Sequence, residues 1–155
     1  MFRINIMFLI TFALFTIVSC GPKPSEDFYI ASVRTNLIVY QGFKIANYNY
    51  TSLNPIVITT VDDYLEKYKK YSRSSSVYSI IKMHHSQIIR GNFQVGLVDV
   101  SGQEEISVKS TCNKTDEIID EEIEKYGFTV DKEVIFQEVE EMLKKENGSS
   151  DTRVR

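Results

Sequence analysis

The sequence predicts an α+β domain: an antiparallel sheet, with a helix inserted between two strand groups, and two C-terminal helices packed on one face. Three observations predict it. β-Branched and aromatic residues crowd positions 28–60, apolar and polar residues alternate over 92–112, and two capped stretches with helical spacing close the chain at 114–126 and 131–145. Strands, a helix, further strands and a helix pair follow one another in the order of a layered α+β architecture.

Each element has its own signal. From Phe28 to Thr60, Ile30, Val33, Leu37, Ile38, Val39 and Tyr40 are strand formers, Gln41-Gly42 is a turn signal, and Pro55 breaks the run before Ile56-Val57-Ile58. A helix is then expected from Thr60, which can cap a first turn containing Asp62 and Asp63. Val61, Tyr64, Leu65, Tyr68 and Tyr71 recur at helical spacing, and the Ser-rich stretch from Ser72 ends the pattern. Residues 77–90 fit either a helix, with Val77, Ile80, Ile81, His84 and Ile88 on one face, or a strand. Phe93, Val95 and Leu97, a turn at Ser101-Gly102, then Ile106 and Val108 predict a β-hairpin over 92–112. Lys114 to Tyr126 carries Ile118, Ile119, Ile123 and Tyr126 on one face and ends at Gly127, a natural C′ residue. Asp131 caps a last helix to Lys145, with Ile135, Val139, Met142 and Leu143 inward and Glu140–Lys144 and Glu141–Lys145 as i,i+4 pairs.

The N-terminus carries a different kind of signal. Arg3 precedes an uncharged run, Ile6 to Val18, that ends in Ile17-Val18-Ser19-Cys20. The run is shorter than the ~20 residues of a usual membrane span. Signal peptidases admit small residues beside the cleaved bond, and Ser19 meets that need. These residues resemble the lipobox of bacterial lipoproteins, a resemblance confined to positions 1–20. It implies acylation of the Cys20 thiol and cleavage before it. Residues 1–19 are then a signal peptide, residues 20–27 a lipidated cysteine with a Pro-rich tether expected to act as a spacer, and residues 28–146 a single domain. Residues 147–155 are expected to be disordered. The resemblance further implies a membrane-anchored envelope protein. Gly21 is not the aspartate that retains enteric lipoproteins in the inner membrane, which under enteric sorting favours the outer membrane facing the periplasm. The Ser-Cys-Gly ending also resembles lipoproteins of Bacteroidetes, whose sorting rules differ.

Charge narrows the partners. Removal of residues 1–19, which hold Arg3 and no acid, takes the formal net charge from −3 to −4. A mildly acidic chain without an evident basic stripe is poorly suited to nucleic acid or to electrostatic docking on anionic lipid. With Cys20 acylated, Cys112 has no disulfide partner and is expected to be a small buried residue ending a strand. His84-His85 is the only histidine pair, and adjacent side chains diverge too far to share one ion. No zinc-binding spacing, phosphate-cradling glycine loop or nucleophile elbow is present, so no cofactor, metal or catalytic residue is assigned. The acids Asp116, Glu117, Asp120, Glu121, Glu122 and Glu124 read as a solvated helix face, which gives carboxylates no acid–base chemistry.

Tyrosine is the residue type that points to binding. The chain has nine tyrosines and no tryptophan. Tyr64, Tyr68 and Tyr71 share a helix face, with Tyr48 and Tyr50 in the segment before it. Tyrosine combines large contact area with a polar tip, which suits an interface as well as it suits a sheet-covering core. The expected function is a non-catalytic accessory or assembly factor that binds an envelope protein, as small lipoproteins of secretion and conjugation machinery do. The alternative is a small-ligand-binding or inhibitory periplasmic lipoprotein. An envelope hydrolase would require a cleft that brings His84 or His85 close to a carboxylate and to a serine or Cys112.

Overall fold

The computed structural model describes residues 21–45, 55–89 and 100–150, and every regular element among them is helical. In chain order these are α1 (Glu26–Ile45), α2 (Pro55–Lys67), a 3₁₀ turn (Lys69–Tyr71), α3 (Ser76–Ile80), a π-helical turn (Ile81–His85), α4 (Ser86–Ile89), α5 (Val100–Tyr126) and α6 (Lys132–Ser150). The predicted antiparallel sheet is therefore overturned: the described chain is a helical bundle with no strand.

The reason lies in α1. It packs against α2, α5 and α6 at once. Phe28, Tyr29, Ser32, Val33, Thr35, Asn36, Ile38, Val39 and Phe43 are all buried, and Ile30, Ala31, Leu37 and Tyr40 are partly so. A helix enclosed on several sides needs no polar face, so its sequence lacks the amphipathic stripe by which helices are usually read. Its β-branched residues then look like a buried strand. Glu26 and Asp27 in the first turn and Lys44 in the last complement the helix dipole.

The remaining boundaries follow local chemistry. α2 begins at Pro55, five residues before the expected Thr60, because proline is suited to the first helical position, where no amide hydrogen is needed. Residues 76–89 take the helical alternative, with Val77, Tyr78, Ile81, His85, Ile88 and Ile89 buried. A π turn sits in their middle and ends on His85.

The predicted hairpin over 92–112 is corrected in its second half. Residues 100–112 belong to α5, while 92–99 lie outside the described residues. Val108, Cys112, Thr115, Ile119 and Glu122 are buried at alternating spacings of four and three, a helical stripe hidden from a hydrophobicity count by its threonine and glutamate. Cys112 is thus buried, but inside a helix and not at a strand end.

The junction between the two C-terminal helices is as expected, although the first begins at Val100 and not at Lys114. Gly127 adopts φ +70°, its N–H donates to the Glu124 carbonyl, and Phe128 N–H donates to the Ile123 carbonyl. This pattern of bonds closes the helix with a left-handed residue that glycine adopts without a Cβ penalty. Asp131 Oδ1 accepts from Val134 N–H at 3.1 Å and caps α6. Ile135, Val139 and Leu143 face the core, Lys144 pairs with Glu140 at 3.3 Å, and the helix extends to Ser150, beyond the expected end of order at residue 146.

Candidate functional site

The predicted tyrosine surface is inside the molecule. Tyr64, Tyr68 and Tyr71 are 3%, 6% and 4% exposed. They close around Phe28, whose ring centroid lies 6.0, 5.4 and 4.9 Å from theirs. Tyr29 meets Phe28 edge-on at 5.0 Å, and Tyr78 stacks on Tyr64 at 6.2 Å. Each phenol tip finds a partner: Tyr64 with Ser32 Oγ at 2.8 Å, Tyr78 with the Leu65 carbonyl at 2.9 Å, and Tyr68 with the Asp27 carbonyl at 3.4 Å. Buried rings with bonded hydroxyls build a core and offer no face to a partner. Tyr48, Tyr50 and the acylation candidate Cys20 lie outside the described residues.

Among the acids read as a solvated face, Glu122 is an exception, only 8% exposed. Its carboxylate accepts from Tyr29 Oη at 2.9 Å, Ser75 Oγ at 2.7 Å, Ser76 N–H at 2.6 Å and Val77 N–H at 3.3 Å. It joins α5 to α1 and to the start of α3, where unpaired amides favour an anion. Its place at i+3 from Ile119, on the buried stripe of α5, is the sequence signal that could have found it. Asp116 and Asp120 instead hold Lys132, at 2.9 and 2.6 Å. Burial disfavours the Lys132 ammonium, but the two carboxylates outweigh it and raise its pKa above the ordinary lysine value.

The histidines separate as adjacent helical residues must: His84 is half-buried and His85 is fully enclosed. Asn36 on α1 joins the inner one to α5. Its Nδ2 donates to the Cys112 carbonyl at 2.9 Å, which turns Oδ1 toward His85 Nε2 at 2.8 Å and assigns the proton to Nε2. His85 Nδ1 is buried with no hydrogen-bond partner among the described residues. Burial, with His84 adding, drives the His85 pKa down to about 3, while burial, with Asp116 adding, pushes the Cys112 thiol up to about 12. A thiolate nucleophile needs the opposite, a lowered thiol and a protonated imidazole beside it. His85, Asn36 and the backbone carbonyl of Cys112 form an uncharged polar bridge between helices.

Two open grooves border α1. One, of about 290 Å³, lies between α1, α5 and α6 and is lined by Leu37, Tyr40, Cys112, Asp116, Lys132 and Phe136 among others. The second, of about 440 Å³, lies between α1 and α2 and includes Ile30, Arg34, Asp63 and Lys67. Among the described residues, no group of three or more His, Cys, Asp or Glu is placed to hold a metal ion.

The residues after Cys20 are packed on the bundle. Ser74 Oγ donates to the Pro22 carbonyl at 2.8 Å, Pro24 is buried, and Tyr71 Oη reaches Ser25 Oγ at 3.5 Å. The Lys23 ammonium lies over the rings of Tyr126 and Phe128, 5.5 and 5.9 Å from their centroids. The expected spacer is therefore a docked strip, and α1 starts at its end. No helix of the described residues is long and apolar enough to cross a membrane.

Comparison with known proteins finds no matching family model, no similar curated protein and no similar solved structure.

Proposed function

We propose that this chain is a bacterial lipoprotein whose helical domain serves the cell envelope as a non-catalytic, protein-binding accessory or assembly factor. The observation that carries the reading is Ile17-Val18-Ser19-Cys20 at the end of the apolar run Ile6 to Val18. The domain's chemistry agrees with a binding role: its buried histidine and cysteine are held uncharged, and its buried carboxylate is saturated by four donors within the fold. With Tyr64, Tyr68 and Tyr71 in the core, the partner surface passes to the groove between α1, α5 and α6. There Leu37, Tyr40 and Phe136 supply apolar contact beside the charged Lys132 and Asp116. The same groove favours a second reading, a small ligand held against Tyr40.

The test is acylation followed by partner capture. Mass spectrometry of the native protein is expected to find an acylated Cys20 as the first residue, and Cys20→Ala to leave an uncleaved, unacylated precursor. A Cys20→Ala chain still carrying acyl groups would sink the reading. In-cell crosslinking is expected to recover a stoichiometric envelope partner from the native chain. A folded Tyr40→Ser, Phe136→Ser variant should lose it. A small molecule co-purifying with the native chain, and no protein, would establish the second reading.

A further inference from the structure

The overall negative charge hides a local excess of cations where the chain would meet the membrane. Lys67, Lys69, Lys70 and Arg73 are exposed, and residues 67–73 hold no acid. None of these four forms a salt bridge among the described residues. Lys67 and Lys70 instead lie over the rings of Tyr68 and Tyr71, at 5.2 and 4.9 Å. This turn is the surface on which the residues after Cys20 dock. Ser74 bonds to Pro22, and Gly21 approaches so closely that a Cβ placed on it would stand 2.8 Å from the Ser74 Cβ.

Covalent geometry then ties anchor to turn. The Cα of Cys20 is one trans peptide, about 3.8 Å, from that of Gly21. Acyl chains on Cys20 would enter the bilayer beside Ser74, with no free spacer to hold the domain away. The cations of the turn would stand within a Debye length, ~8–10 Å, of the headgroups, where attraction is not screened out. We propose that the turn Lys67–Arg73 is a membrane-contact face that lies on anionic phospholipid headgroups when Cys20 is acylated. The proposal rests on the lipoprotein reading and adds an orientation: the anchored end of the bundle faces the lipid, and the Lys44 end of α1 faces away. Each cation near an anionic surface strengthens the contact about fivefold. An anionic surface would select this stretch, whose four cations outnumber Asp27 and Asp63, the two acids that share a groove with Lys67.

The experiment uses the full-length, membrane-purified protein in vesicles of phosphatidylcholine, with or without phosphatidylglycerol. A polarity-sensitive dye is placed at Ser72→Cys, and a control dye at the exposed Gln137→Cys on α6. Buried Cys112 should stay unlabelled, so it can be left in place. The Ser72 dye is expected to shift to the blue and to be quenched by headgroup-labelled lipid in vesicles containing phosphatidylglycerol, while the Gln137 dye stays in water. K69E, K70E and R73E together should abolish the shift with helicity unchanged by circular dichroism and the acylated chain still vesicle-bound. An acylated, bound protein whose Ser72 dye remains in water, or whose shift survives charge reversal, overturns the proposal and leaves the lipoprotein reading standing. A protein without an acyl group by mass overturns both.

Discussion

Glu122 and His85 show what single buried polar groups do here, in opposite ways. Glu122 is satisfied by donors from two segments, Tyr29 of α1 and residues 75–77 at the start of α3, so its loss strands all of them. Glu122→Ala is expected to destabilise the domain by roughly 3 kcal/mol in urea unfolding, and Glu122→Gln, which keeps an acceptor oxygen, by less. Equal costs for the two would deny the carboxylate its role as acceptor. His85 is neutral when folded and takes a proton readily only when unfolded. Its pKa falls from the ordinary 6.5 to about 3, so between these values the unfolded chain binds more protons and acid favours unfolding. Its contribution is complete above pH 6.5 and declines toward pH 3. The slope approaches about 1.4 kcal/mol per pH unit from this group alone. Stability curves of native protein and His85→Gln should therefore differ in slope over this window; parallel curves would show that the imidazole is not buried neutral.

At the scale of the element, α1 and α2 show how contact geometry controls helix approach. Gly42 stands where any Cβ would run into a methyl of Val57. Gly42→Ala is expected to cost roughly 1–3 kcal/mol by overpacking, although alanine is the better helix former. Val57→Ala should recover part of that loss in a double-mutant cycle, and additive costs would place the clash elsewhere. A Gln41-Gly42 pair reads as a turn by composition, yet the glycine here serves a close approach between helices. α5 shows the same limit. Its stripe is readable once Thr115 and Glu122 are allowed as inward residues. Thr115 bonds to the Thr111 carbonyl of its own helix, but placing Glu122 inward requires knowing which donors α1 and the start of α3 bring to it. The start of α6 needed no such knowledge, because Asp131 and Gly127 act through bonds to their immediate neighbours.

At the scale of the whole molecule, α1 is the axis on which α2, α5 and α6 are assembled. Opening it requires separating several packed faces together, so its mid-helix amides are expected to exchange only through global unfolding. Native-state hydrogen exchange checks this. Amides at Val33 to Val39 that exchange faster than those at Ile119 would show that the axis opens locally. The docked strip at residues 21–25 belongs to the same scale, since it fixes the segment before α1 against the turn at Tyr71 and Ser74.

Several features were determined by the sequence alone: the helix ends at Gly127 and Asp131 and the inward residues of α6. The acylation signal at Cys20 also belongs to the sequence, as an expectation. Each depends on residues close in the chain or on composition. Only the tertiary structure decided that residues 26–45 are helix, that Tyr64, Tyr68 and Tyr71 are core, that Glu122 alone among its neighbouring acids is buried, and that residues 21–25 dock. These depend on partners distant in the chain: Tyr29 meets Glu122, Asn36 meets His85 and Cys112, and Pro22 meets Ser74. A run of buried β-branched residues satisfies its backbone equally well within a helix or within a sheet. What selects the helix is the set of faces that the rest of the chain brings to enclose it.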